Sequence, residues 1–267
     1  MTNIINKEFM RRELIQLLSF IFNAHEIEKV DIKGISINSL EDEPAITDAI
    51  NKCYHDMYSD IDINLHIKLN PDDYNGFGTI YADNMRRLGF ENDILGLLHN
   101  RLENKGELIR VCKTNGMRFD LAIYPVCVEA APALPHTDLR TSVEKEDKFW
   151  FIAIQALGKL MRKDHLIAAH LAHEIIQEGL ILQMILRDKE YNTNIHRFGY
   201  AEKLDYLDVI RQDEVPFGRT QDETFNYISE LLYSAIKSFD RLCLSMNNSY
   251  KSRINDFLNI WSCYINV

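Results

Sequence analysis

At 267 residues the chain can form one large domain or two ordinary ones, each with a real hydrophobic core. Its composition, 46% hydrophobic and 26% charged, is that of a soluble globular protein. The formal charge of −10 argues against a general grip on DNA or RNA, which needs a basic face, and suits a cationic small-molecule partner better.

Residues 7–24 place Phe9, Leu14, Leu17, Leu18, Ile21 and Phe22 at helical spacing, which predicts a first helix. The residues before Arg12 are polar and mixed in charge, so no secretory leader is expected. Val30-Asp31-Ile32-Lys33-Gly34-Ile35 alternates and reads as a first strand; residues 38–57, with Pro44, predict a loop and a short helix.

The pattern then sharpens. Ile61, Ile63, Leu65, Ile67 and Leu69 alternate with Asp60, Asp62, Asn64, His66 and Lys68, a strand with one apolar and one polar face. Two further strands, 108–112 and 117–124, flank Asn115-Gly116, a strong hairpin signal. In the second, Met117, Phe119, Leu121 and Ile123 share one face, and Arg118, Asp120, Ala122 and Tyr124 the other. Pro125, Pro132 and Pro135 mark a connecting segment that ends near the charged stretch Glu144–Lys148.

Beyond Phe149 the periodicity is helical: roughly 149–163, 165–187, 200–212, 221–246 and 250–265. The expected architecture is α+β, an N-terminal mixed sheet with helices (1–145) followed by an all-α helical bundle (146–267). Near the end, Trp261, Tyr264, Ile265 and Val267 fit either bundle packing or the seam of a homodimer. The longest uncharged stretches, Leu14–Ala24 and Phe149–Gly158, fall short of the roughly 20 apolar residues that span a bilayer. Cys53, Cys112, Cys127, Cys243 and Cys263 are odd in number and include no Cys-x-x-Cys pair, so neither a zinc ribbon nor a disulfide framework is expected, and the compartment predicted is the reducing cytoplasm.

Chemistry concentrates in three carboxylates. Asp60 and Asp62 project from one face of a strand, and Asp120 lies on the polar face of another. An isolated Asp-x-Asp on a strand is most often a solvated face; a second carboxylate-bearing strand sixty residues later weakens that bland explanation. Converging carboxylates repel unless cations neutralise them, and Mg²⁺, hard and oxygen-seeking, usually binds one or two carboxylates together with substrate phosphates.

Tyr58-Ser59-Asp60-Ile61-Asp62-Ile63 resembles the S-D-h-D-h strand of the DNA polymerase β-like nucleotidyltransferase superfamily. Asn115-Gly116-Met117-Arg118-Phe119-Asp120-Leu121 resembles the strand bearing its third carboxylate. More narrowly, the order of parts is similar to the streptomycin (aminoglycoside 6-) adenylyltransferases, whose next helix Phe149–Asp164 echoes. The likeness spans roughly 9–190 and rests on these three blocks. It implies a nucleotidyltransferase-type sheet and transfer of a nucleoside monophosphate, AMP from ATP, to a hydroxyl of a small acceptor of the aminoglycoside kind. Carried over, Asp60 and Asp62 would bind one or two Mg²⁺ ions and the triphosphate, and Asp120 would be a metal ligand or the base for the acceptor. Ser59 would lie beside the nucleotide, and Lys159 would reach the leaving pyrophosphate. By residue type alone Lys159 is a solvated helix lysine. On the helix after it, His170, Glu174 and Glu178 would line the acceptor pocket. His170 and His173 form no HExxH pattern, so no zinc site is expected there.

The family's Gly-Ser phosphate grip follows its first strand directly. The nearest counterpart, Gly34-Ile35-Ser36, has an interposed Ile and ends 24 residues before Asp60. Gly34 and Ser36 are the candidate grip. The altered spacing supports an alternative: a non-catalytic, regulatory or antitoxin-like protein on the same fold.

Overall fold

The computed structural model describes residues 5–24, 27–69, 93–102, 106–127, 145–190 and 220–265. The chain divides into two compact units, one running to Phe151 and the other Ile152–Ile265. The division falls inside a helix, slightly later than the expected 145/146 boundary.

The first unit opens with α1 (Lys7–Ala24), where the Asn6 side chain accepts the Phe9 N–H at 2.9 Å and so caps an otherwise unsatisfied donor. Its apolar stripe, Phe9, Met10, Leu14, Leu17, Leu18 and Ile21, is buried. On that same buried face, Glu13 takes the Lys113 ammonium at 2.5 Å in a buried ion pair.

The expected single strand over 30–35 is instead a hairpin, β1 (Ile27–Ile32) and β2 (Ile35–Ile37), antiparallel with Ile32 opposite Ile35. Lys33 (φ 50) and Gly34 (φ 80) both take positive φ, as a two-residue hairpin turn requires. Alternation alone hid this turn because a lysine is not the residue usually found there. α2 (Glu43–Cys53) follows, with Asp42 accepting the Ala45 N–H and Pro44 in the first turn; it is the short helix expected within 38–57.

β3 (Ile61–Leu69), β4 (Ile94–Arg101), β5 (Glu107–Lys113) and β6 (Arg118–Cys127) complete a six-stranded sheet in the order β2-β1-β3-β6-β5-β4. The β3–β6 pair is parallel and the other pairs are antiparallel. Gly116 (φ 87) and the Asn115 side chain, which accepts the Met117 N–H at 3.0 Å, form the β5–β6 turn. Two findings depart from the sequence reading. β4 was not expected, because Ile94-Leu95-Gly96-Leu97-Leu98 is a continuous apolar run with no period of two. Pro125 lies within β6, opposite Ile67, and not in a connector. β5 pairs with β6 only as far as Ile123, so among the described residues Pro125 has a strand on one side only, and a missing N–H is tolerated there.

One sheet face is the core: Val30, Ile32, Ile61, Ile63, Leu65, Ile67, Leu97, Ile109, Val111, Phe119, Leu121 and Ile123 are all buried. Each such side chain contributes about 1.5–3 kcal/mol of burial. The other face carries the polar residues. At its β4 side, a Cβ on Gly96 would stand 2.3 Å from the Phe151 nitrogen, so only glycine admits the helix backbone this closely.

That helix is α3 (Lys145–Met161). The described part of the second unit is helical throughout: the end of α3, α4 (His165–Glu190), α5 (Gln221–Met246) and α6 (Ile254–Ile265). Leu160, Ala168, Ala172 and Ile228 form a buried cluster, with Phe225 and Leu231 packed against it. Thr220 and Glu223 make a reciprocal capping box at the start of α5. Buried Asp240 gathers the turn into α6, accepting from Tyr250 Oη (2.8 Å), Ser252 Oγ (2.6 Å) and the Arg253 N–H (3.1 Å). Trp261 and Tyr264 are buried, with Trp261 edge-on to Phe257 and Tyr233; these two residues pack inside the chain's own bundle. The helix expected at 200–212 lies outside the described residues. Among the described residues, no helix is long and apolar enough to cross a membrane, and Cys53, Cys112, Cys243 and Cys263 are free thiols. The α+β class read from the sequence is the class found.

Candidate functional site

The parallel β3–β6 ladder sets Asp62 directly opposite Asp120, Asn64 opposite Ala122 and His66 opposite Tyr124. Residues in register point to the same side, so Asp62 and Asp120 are neighbours on the polar face, with Asp60 one pleat earlier at the mouth of β3. Farther along that face the His66 and Tyr124 rings stack with centroids 5.2 Å apart.

Three basic side chains interleave with the carboxylates. Lys33, at the β1–β2 turn, pairs with Asp62. Arg110, opposite Asp120 on β5, has its Nε 3.2 Å from the Asp120 carboxylate. Arg118 donates to the Tyr58 carbonyl and stands 3.9 Å from the Asp60 carboxylate. It therefore ties the segment carrying Asp60 to the strand carrying Asp120. Each acid thus has its own cation.

Burial separates the three acids. Asp60 and Asp62 are each 41% exposed, whereas Asp120 is 18% exposed. Loss of hydration pushes the Asp120 carboxyl up from 3.8 to about 6, opposed by Arg110 and assisted by the negative charges of Asp60 and Asp62. The Lys33 ammonium is held above its ordinary value, chiefly by its hydrogen bond to Asp62. Burial raises the Cys53 thiol at the end of α2.

The remaining sequence candidates fall in three places. Ser59 is buried, its hydroxyl accepting the His55 and Asp56 N–H groups at 3.0 Å each and donating to Asp56 Oδ1 at 3.2 Å. It braces the loop that delivers Asp60, and its hydroxyl faces that loop. Gly34 lies in the β1–β2 turn, its N–H donated to Asp31 Oδ1 at 3.0 Å; Ser36 is exposed on β2 opposite Asp31. Lys159, His170, Glu174 and Glu178 belong to the second unit. There Lys159 stands 3.6 Å from Asp164, His170 is exposed, and Glu174 and Glu178 are half-buried one turn apart on α4.

Among the described residues, no three His, Cys, Asp or Glu side chains are gathered closely enough to hold a metal ion. The donor set nevertheless fits Mg²⁺ in kind: three hard carboxylates, two in register on adjacent strands and the third one pleat away. Their oxygens are turned onto Lys33, Arg110 and Arg118, and side-chain rotation is what a cation would require of them. Sequence reading missed Lys33 and Arg110 as members of the site. Arg118 was visible on the polar face beside Asp120, but its link to Asp60 depends on the strand pairing.

No protein-family model, curated protein or solved structure matches the chain.

Proposed function

We propose that the polar end of β3 and β6 is a Mg²⁺-dependent nucleotidyl-transfer site on a nucleotidyltransferase-type sheet. The observation that carries this reading is the in-register placement of Asp62 and Asp120, with Asp60 one pleat away. The resemblance of the Asp60–Ile63 and Asn115–Leu121 blocks to the nucleotidyltransferase superfamily gives the reaction, and the six-stranded sheet followed by helices is compatible with it.

In this reading Asp60 and Asp62 would hold the cation that accompanies the triphosphate. Bound Mg²⁺ supplies charge neutralisation at the phosphates. Asp120, raised to about 6, is mostly ionised at neutral pH yet basic enough to take a proton. The acceptor hydroxyl oxygen attacks the α-phosphorus, its proton passes to Asp120, and the bond to the pyrophosphate oxygen breaks. Arg118 positions Asp60 through Tyr58. Gly34 and Ser36 would offer an N–H and a hydroxyl to phosphate oxygens. Lys159, with His170, Glu174 and Glu178 as acceptor contacts, enters only through the family resemblance. The donor would be ATP and the acceptor a small hydroxylated amine of the aminoglycoside kind, which the acidic balance of the chain favours. No nucleic-acid substrate is proposed.

Calorimetric titration of ATP, GTP, CTP and UTP with Mg²⁺ tests this, comparing wild type with Asp60→Asn. The expected result is binding of one nucleotide that requires both Mg²⁺ and Asp60. Label transfer from that nucleotide should fall on the order of 10³-fold in the variant, as for loss of a principal charge-stabilising group. One observation favours a second reading, a non-catalytic regulatory protein on this fold: every carboxylate of the site already has an internal cation. Absence of Mg²⁺-dependent nucleotide binding would put that reading first.

A further inference from the structure

Among the three described cations of the site, Lys33 is the one that can leave its carboxylate most cheaply. Arg118 is 8% exposed and committed to the Tyr58 carbonyl. Arg110 extends from a central strand with its Nε against partly buried Asp120. Lys33 and Asp62, by contrast, are 44% and 41% exposed, and an exposed ion pair of this kind contributes little net stability because water compensates both charges. Opening it strands no buried charge.

The backbone beneath Lys33 is pinned. The turn takes φ 50 at Lys33 and 80 at Gly34. Asp31 accepts the Gly34 N–H at 3.0 Å, and the Lys52 ammonium donates to the Lys33 carbonyl at 3.4 Å. A fixed base carrying a flexible four-carbon stem delivers a compact charge over a small radius. Asp60 also attracts the Lys33 ammonium, but a dication held by Asp60 and Asp62 would repel it from both carboxylates, and the triphosphate accompanying that metal would offer the displaced charge a new partner.

We propose that Lys33 is a displaceable internal counter-ion of Asp62: it occupies the carboxylate in the free protein and turns onto the triphosphate when metal and nucleotide bind together. This inference rests on the nucleotidyl-transfer reading of the site and adds a binding residue to it. It makes the site discriminate against metal alone, which must compete with Lys33, and in favour of a metal–triphosphate complex, which gains Lys33 as a ligand.

The test is Mn²⁺ binding to the full chain, followed by water-proton relaxation, first alone and then with inorganic tripolyphosphate. Lys33→Asn is the principal variant, because Asn-Gly suits a turn with two positive φ values and keeps the hairpin. Lys33→Gln, which preserves side-chain length, is the second. The expected result is opposite shifts in both variants: Mn²⁺ alone binds about two- to fivefold more tightly, as the loss of a surface competitor predicts. Mn²⁺–tripolyphosphate binds roughly tenfold more weakly, as the loss of a charge-assisted hydrogen bond predicts. Asp62→Asn should weaken both. Unchanged affinities, or shifts in the same direction, overturn the role of Lys33 while Asp62-dependent Mn²⁺ binding leaves the site reading standing. Mn²⁺ binding that is absent from every variant, or indifferent to Asp62→Asn, overturns the site reading and this proposal with it.

Discussion

Asp120→Asn should make the protein more stable at neutral and alkaline pH while removing the transfer activity proposed for it. Asp120 ionises with difficulty in the fold, its carboxyl pushed from 3.8 to about 6 mainly by burial. The sign follows from proton counting. Between these two values the folded chain binds more protons at this site than the unfolded chain does, so stability falls as pH rises through the window. The protonated acid's contribution is fully present below about 4 and lost above about 6. At about 1.36 kcal/mol per pH unit, ionised Asp120 costs the fold about 3 kcal/mol. Asn imitates the neutral acid and escapes this cost. Urea denaturation at pH 8 should therefore show the variant more stable by about that amount, and the gap should close as pH falls toward 4. Mg²⁺ with the bound nucleotide should then stabilise wild type and variant alike, since a ligand that binds only the folded state raises its stability and Asp60 and Asp62 are the residues proposed to hold it. A variant equally displaced from wild type at pH 8 and pH 4, or less stable at pH 8, would refute the claim that Asp120 is held ionised against its surroundings.

Three further outcomes test the scaffold. Gly96→Ala places a Cβ 2.3 Å from the Phe151 nitrogen and 2.7 Å from its Cα; these are backbone atoms that cannot rotate away, so the cost should reach the top of the roughly 1–3 kcal/mol range for overpacking, read as a lower urea midpoint. Glu13→Ala removes the carboxylate 2.5 Å from the buried Lys113 ammonium and should cost about 3–5 kcal/mol, as breaking a buried pair does; a change under 1 kcal/mol in the same assay would show that Lys113 does not depend on Glu13 for its compensation. Asp240→Ala takes the acceptor from three donors at the turn into α6 and should cost on the order of 3 kcal/mol, with earlier hydrogen exchange across 247–265 than across α1.

What the sequence disclosed followed the range of the interactions involved. The α5 helix was legible over 221–246 because its apolar stripe is a local pattern; the Thr220–Glu223 box at its start came to light only in the structure. β3 and β6 were legible because each presents one face to the core and one to polar surroundings, so their alternation survives. β4 was not legible: its run Ile94–Leu98 is apolar on both sides, and Gly96 is there for a helix far away in the chain. The turn at Lys33-Gly34 was hidden because the backbone adopts a positive φ at a lysine, a choice that the hairpin pairing imposes and the side chain does not advertise. Pro125 misled because its tolerance depends on where a neighbouring strand stops pairing.

The site divides along the same line, and the division bears on what it does. Three acids on two alternating strands can be found by counting, but their cations come from the β1–β2 turn, β5 and β6 itself, and only the pairing of the sheet brings them in. Among the described residues, the three carboxylates and the three basic groups paired with them balance in formal charge. A neutral site has little attraction for a free dication, which would have to displace a cation already in place. A dication carried on a triphosphate is different: its excess negative charge can be taken up by a group that the metal releases. The same lattice that argues for a quiet surface in the free protein therefore argues for selective capture of a metal–nucleotide complex, and the two readings part at Lys33, whose removal should favour the bare metal and disfavour the complex.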